Sequence, residues 1–118
     1  MSIEEAIEKF RSAAIEKADG AEPAGKDHVL YDQMEAAWQV LEQHGADGRQ
    51  AFKELLTDES RHVRGWVAAQ LLGLGDQSGV EMLEADTLEG GMRSFTAEMV
   101  LKEWRGGRLK PPFKNPDA

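Results

Sequence analysis

Histidine and acidic residues are the first candidates for catalysis or metal binding in this chain. The three histidines, His28, His44 and His62, lie far apart, and none lies in HExxH or a similar ligand spacing. His28 and Asp32 share one face of a predicted helix at i and i+4, which supplies only two ligands. Because a zinc site needs three or four ligands, we predict a solvated surface contact there and no metal.

Nucleophilic catalysis has no positive support in the sequence. The chain has no cysteine, Ser60 and Ser94 occupy positions typical of a helix cap or start, and Ser78 lies in the first turn of a predicted helix. No serine lies in an elbow motif, and the sequence does not indicate a serine beside a paired histidine and aspartate. We therefore predict no catalytic residue and a chain that is not an enzyme.

The segment GAEPAGKD, residues 20–27, is one residue short of a phosphate-binding loop. Asp27 stands where a Ser or Thr hydroxyl would meet magnesium, Glu22 would repel phosphate, and no strand precedes the segment. Glycine, proline and aspartate are concentrated in residues 19–27, so we predict a linker loop there and no cofactor.

Charged residues near the middle of the chain are the candidates for binding a partner. Arg61 and Arg64, with His62 between them, place positive charge in the first turn of a predicted helix, where the helix dipole disfavours it by about 0.3–1 kcal/mol for each charge. Something should compensate, and the sequence leaves two interpretations open: an internal structural contact, or exposure toward an acidic partner. Glu81 and Glu84, with Asp86, form a predicted acidic surface, which usually faces solvent and occasionally meets a basic partner.

The composition narrows the class of protein. The 118 residues are enough for one domain with a single core, without metals or disulfides. The net charge of −8 makes nucleic acid and anionic membranes unlikely partners, since both attract basic surfaces. The start, MSIEEAIEKF, is amphipathic, unlike a signal peptide, and no apolar run approaches 18 residues, so we expect a cytoplasmic protein without a membrane span. Residues 105–118 carry a net charge of +3, which leaves −11 for residues 1–104.

Helical periodicity predicts the elements that carry these residues. Ser2 and Glu5 form a capping box before a helix that reaches about residue 18. A second helix runs from residue 26 or 27 to about 44, a third follows a cap at Asp47, and a fourth follows a cap at Ser60. A fifth spans about 77–88 after a cap at Asp76, and a sixth spans 92 to about 105. No segment alternates with period two, so we predict no sheet.

Apolar stripes predict which side chains are buried. Trp38, Trp66 and Trp104 each fall on such a stripe, and small Ala68 and Ala69 beside the fourth stripe allow a neighbouring helix to approach closely. Leu88 is predicted to face inward. The sixth helix is apolar nearly all round, which predicts burial on more than one side; its apolar residues are Met92, Phe95, Met99, Val100, Leu101 and Trp104. The two prolines at 111 and 112 exclude helix, so the tail is predicted to be extended. It either packs Leu109 and Phe113 on the body or is free in solvent.

The fourth helix carries a repeat signature. Its spacing resembles the first-helix consensus of short HEAT-type repeats, through Val63, Arg64, Ala68, Leu71, Leu74, Gly75 and Asp76. Weaker copies follow at an offset of 29, from Met92, and precede at an offset of 31, from Ala37. Over nearly its whole length the chain also resembles a small bacterial domain-of-unknown-function family, number two thousand and nineteen. This resemblance implies HEAT-like pairs and no established activity. The resemblance to HEAT-type repeats places Arg64 and Arg93 in an inter-repeat ladder, paired with acids such as Asp58 or Glu89.

Together these observations predict an all-α fold. We expect a HEAT-like or ARM-like stack of five to seven helices in antiparallel pairs over residues 1–105, with an extended basic tail over residues 106–118. Such stacks suit the docking of another protein, so we expect a protein-interaction module, with an antitoxin-like or immunity-like role as one subtype. The residues predicted to contact the partner are Arg61, His62, Glu81 and Glu84.

Two alternatives remain at this point. A nucleic-acid-binding protein would need its basic side chains to converge on one side; they are Arg49, Lys53, Arg61 and Arg64, which the basic tail could join. An enzyme or an accessory subunit of one would need a pocket that holds His28, Asp32 and Glu35 together. The sequence does not indicate an oligomeric state.

Overall fold

The computed structural model describes residues 1–18 and 25–114, without the side chains of Asp27, Met92 and Arg93. This part of the chain is all-α and contains no strand, as predicted. Its six α-helices are α1 (Ile3–Ala18), α2 (Gly25–Gln43), α3 (Ala46–Glu54), α4 (Arg61–Gly73), α5 (Val80–Asp86) and α6 (Gly91–Arg105). Short 3₁₀ helices at Leu55–Thr57 and Gln77–Gly79 precede α4 and α5 respectively.

The chain divides into two compact units. The first unit comprises Met1–Glu54 together with Phe113–Ala118, and the second unit comprises Leu55–Pro112. The single repeat domain over residues 1–105 and the HEAT-like stacking stay predictions.

The first unit begins with the predicted capping box. The Ser2 amide donates to the Glu5 carboxylate at 3.2 Å, and the Glu5 amide donates to the Ser2 hydroxyl at 3.1 Å. These two contacts satisfy amides that have no partner within the helix and so fix the start of α1. The buried side of α1 carries Ala6, Phe10, Ala13 and Ala14.

Aromatic rings form the core of the first unit. Phe10 packs edge-on against Phe52 and Phe113, with ring centroids 5.2 and 5.6 Å apart, and Trp38 packs against Phe52 at 4.7 Å. Edge-to-face geometry of this kind adds about 0.5–1.5 kcal/mol for each pair to the gain from burial. Trp38 is fully buried, as predicted, and so is Phe113. The tail was predicted either to pack on the body or to be free in solvent, and at Phe113 it packs.

The boundaries of α2 and α3 differ slightly from prediction. α2 begins at Gly25, so residues 25–27 belong to a helix and not to the predicted loop. Gly45, with φ of +67°, separates α2 from α3 as predicted, but α3 already includes Ala46. Asp47 therefore lies inside the first turn of α3, where a carboxylate favours the helix dipole without acting as the cap.

In the second unit, α4 is capped and packed as its sequence predicts. The Ser60 hydroxyl accepts a hydrogen bond from the Val63 amide at 3.4 Å. Gly79 lies so close to Ala68 that a Cβ added to it would stand 2.6 Å from the Ala68 Cβ. The close approach expected at the small Ala68 is thus made by the 3₁₀ helix that leads into α5. Trp66 and Trp104, both predicted as core, are only half-buried.

The second half of this unit departs most from prediction. The Asp76 carboxylate caps the next segment, accepting from the Ser78 amide at 2.9 Å. However, α5 ends at Asp86, so Leu88 lies in the turn that follows and is 87% exposed instead of facing inward. α6 buries Ala97 and Leu101 on one side only. Its opposite side is exposed, so the prediction of burial on more than one side of α6 is wrong.

Candidate protein-interaction surface

Large apolar side chains are exposed where α5 ends and along α6. Leu88 is 87% exposed, Phe95 58% and Met99 43%. Phe95 and Met99 lie one turn apart on α6, on the side away from the buried Ala97 and Leu101. We use the name α5–α6 surface for the three residues Leu88, Phe95 and Met99. Contiguous exposed apolar patches mark interaction sites, whereas single exposed apolar residues are common, so the adjacent pair Phe95 and Met99 is the part of this surface that favours such a site.

A groove with charged walls adjoins this surface. Its volume is about 540 Å³ and it lies between the last turn of α5 and the outer flank of α6. Glu84 and Arg105 form an ion pair across it at 3.4 Å, with both side chains more than half exposed. Such a pair contributes little to stability and can be exchanged for a partner's charges. The lining residues are Glu84, Thr87, Leu88, Glu98, Leu101, Lys102 and Arg105.

The predicted acidic surface of α5 is only partly exposed. Glu81 and Glu84 face solvent. Asp86 does not, because it is only 2% exposed, so its assignment to the acidic surface is wrong. It is instead an internal counter-charge.

Arg61 is the residue that Asp86 neutralises. The Arg61 Nε donates to Asp86 Oδ1 at 3.3 Å and lies 2.9 Å from a carboxylate oxygen of Glu89. Within the described residues, Arg61 Nη2 and Asp86 Oδ2 are buried without a hydrogen-bond partner. These carboxylates compensate the positive charge at the start of α4, which is the first of the two interpretations of Arg61. Sequence reasoning missed this partner because Asp86 is 25 residues away.

Asp58 and Arg64 of the predicted ladder form hydrogen bonds with backbone groups close to them in the sequence. Arg64 Nη1 donates to the carbonyl oxygens of Asp58 at 2.6 Å and Glu59 at 3.2 Å. The Asp58 carboxylate accepts from the Ser60 amide at 3.0 Å. The side chain of Arg93 lies outside the described part of the structure, and the ladder stays a prediction. His62, predicted with Arg61 to meet a partner, is half-buried.

The residues proposed for an enzymatic pocket are spread along α2. His28 and Asp32 are exposed, whereas the half-buried Glu35 accepts a hydrogen bond from the Lys114 amide at 2.9 Å. A groove of about 350 Å³ between α1 and α2 is lined by other residues, which are Met1, Glu8, Lys9, Ser12, Gln33, Ala36, Ala37 and Val40. Most of the phosphate-loop-like segment, residues 20–24, lies outside the described residues.

Within residues 1–18 and 25–114, no three or more His, Asp or Glu side chains are grouped closely enough to hold a metal ion. None of the helices described here combines the length and apolarity needed to cross a membrane.

Basic side chains proposed for nucleic-acid binding make internal contacts. Arg49 forms an ion pair with Glu42 through its Nε at 3.3 Å and lies over the Trp38 ring at 5.1 Å from its centroid. Arg61 and Arg64 have the contacts given above. These guanidinium groups are therefore engaged within their own units.

Comparison of the chain with family models, with curated protein sequences and with solved structures found no match.

Proposed function

We propose that this protein is a non-enzymatic, cytoplasmic protein-interaction module that binds its partner through the α5–α6 surface. The observation that carries the proposal is the exposure of three large apolar side chains of the second unit: Phe95 and Met99, one turn apart on α6, and Leu88, which lines a groove together with Glu98 and Lys102 of α6. Burying such side chains contributes about 25 cal/mol for each Å² of apolar area removed from water, and aromatic and methionine side chains are enriched in interfaces. In their exposed positions these side chains do not contribute to the packing of the unit's own core.

The charge of the chain favours particular partners. At a net charge of −8, with Glu84 exposed in the groove that Leu88 also lines and Glu81 exposed one turn earlier on α5, the protein would attract a basic partner and speed the encounter with it. An antitoxin-like or immunity-like inhibitor of a basic enzyme is one such role. It agrees with the resemblance to the bacterial family and to HEAT-like repeats, which we retain as part of this proposal.

Nucleic-acid binding is the alternative that the contacts favour less. It needs guanidinium groups free to neutralise phosphates, whereas Arg49, Arg61 and Arg64 bind carboxylates or carbonyls of their own unit. An accessory enzyme subunit is a third possibility, for which the separation of exposed His28 and Asp32 from a shared pocket offers no support.

Affinity capture from a lysate of the native host, in moderate salt, tests the proposal. The baits are the full chain, a Phe95→Ser/Met99→Ser variant, a Glu81→Lys/Glu84→Lys variant, and Val29→Ser as a control at another exposed apolar residue. We expect a protein that the wild type and Val29→Ser retain and the Phe95/Met99 variant loses. Retention of nothing, of nucleic acid alone, or of the same proteins by all four baits would contradict the proposal.

A further inference from the structure

The outer side of α6 carries one acidic and one basic side chain, an arrangement that is complementary to a second copy of the same helix. Glu98 and Lys102 are exposed and lie at i and i+4, so they form one flank beside Phe95 and Met99. A partner with a single sign of charge would match only one of these two residues. A surface that presents the same acid-then-base order, read in the opposite direction, matches both.

We propose that the occupant of this face is a second copy of the same chain, docked with the two α6 helices antiparallel across a twofold axis that meets the exposed side of α6 midway between Glu98 and Lys102. This rests on the proposed function, because it assigns a partner to the same α5–α6 surface, and it replaces the basic partner considered there with a second copy of this chain. In an antiparallel helix pair related by a twofold axis, equivalent flanks meet each other. Glu98 of each copy then faces Lys102 of the other, which gives two equivalent ion pairs.

The apolar residues fit the same arrangement. Met99 lies next to the proposed axis, so the two copies of this side chain would pack on each other, and Phe95 would cover the aliphatic stem of Lys102 from the other copy. Both residues are exposed without a dimer, at 58% for Phe95 and 43% for Met99, and both would be removed from water by it.

The distribution of charge permits self-association here. Residues 55–112 contain seven basic and nine acidic residues, a net charge of −2, whereas the whole chain has −8. The remaining −6 belongs to the residues of the first unit. Two copies that meet through the second unit thus bring together the nearly neutral part of an acidic protein, where self-repulsion is smallest.

Sedimentation velocity of the full chain over a range of concentrations tests this arrangement by charge exchange. We expect a dimer for the wild type. Glu98→Lys alone places like charges opposite each other twice, as does Lys102→Glu alone, so each should raise the dissociation constant about ten-fold or more. An equimolar mixture of the two variants restores both ion pairs in a heterodimer, and should associate about as tightly as the wild type.

Control variants separate the α6 face from a general effect of charge. Glu59→Lys and Lys110→Glu reverse single exposed charges elsewhere in the second unit and should leave the dissociation constant unchanged. Phe95→Ala and Met99→Ala should each weaken the dimer about ten-fold while circular dichroism shows the same helix content.

Two results would overturn the dimer. One is a wild-type chain that stays monomeric at the highest concentrations reached; the other is a dimer that persists unchanged in Glu98→Lys and Lys102→Glu, or that their mixture fails to restore. If the chain is monomeric but a different captured protein is lost with Phe95→Ser/Met99→Ser, only the identity of the occupant is wrong. If neither self-association nor capture depends on these residues, the proposed function fails as well.

Discussion

Asp86 connects α4, α5 and α6 of the second unit through its side-chain carboxylate and its backbone carbonyl. At the end of α5, its carboxylate accepts from Arg61 in α4, and its carbonyl oxygen accepts from the hydroxyl of Ser94 in α6. The side chain of Asp86 is only 3% exposed and that of Arg61 29%, so water weakens this ion pair less than it would a pair on the surface.

We predict that Asp86→Ala lowers the free energy of unfolding by about 2 kcal/mol, because it leaves the half-buried Arg61 guanidinium without its buried counter-charge. Urea denaturation followed by circular dichroism measures the change. Glu89→Ala is the matched control, since Glu89 pairs with the same Arg61 Nε but is 51% exposed, and we expect it to cost less than about 1 kcal/mol. Equal costs for the two variants would show that the buried pair has no special part in stability.

The capping box of α1 makes a prediction about pH. The Ser2 backbone amide, and after it the Ser2 side chain, hold the pKa of Glu5 below its ordinary value. A carboxyl whose pKa is depressed in the folded state adds stability above its unfolded pKa, and that stability is lost as the pH falls through the folded pKa. The cap thus contributes at neutral pH and is lost in acid.

Ser2→Ala should raise the pKa of Glu5 toward its ordinary value, because the hydroxyl that orders the box is removed. An NMR titration of the Glu5 side-chain carboxyl gives both values. Ser12→Ala, an exposed change later in α1, should leave the pKa of Glu5 where it is in the wild type. A wild-type pKa that is not depressed, or that Ser2→Ala does not change, contradicts the assigned cap.

Among the elements, the 3₁₀ helix Gln77–Gly79 packs on α4 closely enough to require glycine. A Cβ on Gly79 would lie 2.6 Å from the Ala68 Cβ and 2.8 Å from its Cα, and the Ala68 backbone cannot move aside alone. We predict that Gly79→Ala destabilises the protein by about 2 kcal/mol through overpacking, measured by thermal and urea unfolding. Gln77→Ala, an exposed position in the same short helix, should change stability by less than about 0.5 kcal/mol. A tolerated Gly79→Ala would mean that these two elements can separate without cost.

The C-terminal segment is the element that closes the core of the first unit. Phe113 is fully buried against Phe10 and Tyr31, and the Lys114 backbone is held by Glu35 and Gln39. We predict that Phe113→Ala costs about 3–4 kcal/mol, the usual loss for a buried phenylalanine. Lys114→Ala, which keeps both backbone hydrogen bonds, should be nearly neutral. A loss below about 1 kcal/mol for Phe113→Ala would show that the segment is dispensable.

The starts of several helices could be predicted from the sequence because helix caps are local. Ser2 with Glu5, Ser60 with Val63, and Asp76 with Ser78 each join residues at most three apart, so side-chain type and spacing are sufficient. The positions of Trp38 and Ala68 followed from helical periodicity in the same way.

What periodicity cannot predict is whether a neighbouring helix covers a given side. Phe95 and Met99 continue an apolar pattern along α6 but face solvent, and Leu88 is exposed because α5 ends two residues earlier than the pattern does. The Arg61–Asp86 pair depends on how α4 and α5 pack, across 25 residues of sequence. The α5–α6 surface therefore could not be predicted from the sequence. Only Glu84, at its edge, was among the predicted partner-binding residues.

For the whole molecule, charge is distributed unevenly between the two units, whereas exposed large apolar residues occur in both. The residues of the first unit carry most of the negative charge, whereas the second unit is nearly neutral and holds the α5–α6 surface. Electrostatic self-repulsion is therefore smaller for association through the exposed apolar residues of the second unit than for association through the first unit.

Site-specific photocrosslinking in the native host tests this interaction surface most directly. A benzophenone amino acid would replace Phe95 or Met99, with the exposed Val29 of α2 as the control position. We predict covalent protein adducts, with a second copy of the chain or with another protein, from positions 95 and 99 and none from position 29. The absence of adducts at positions 95 and 99, or the same adducts at position 29, would contradict the assignment of this surface as the place where the protein binds its partner.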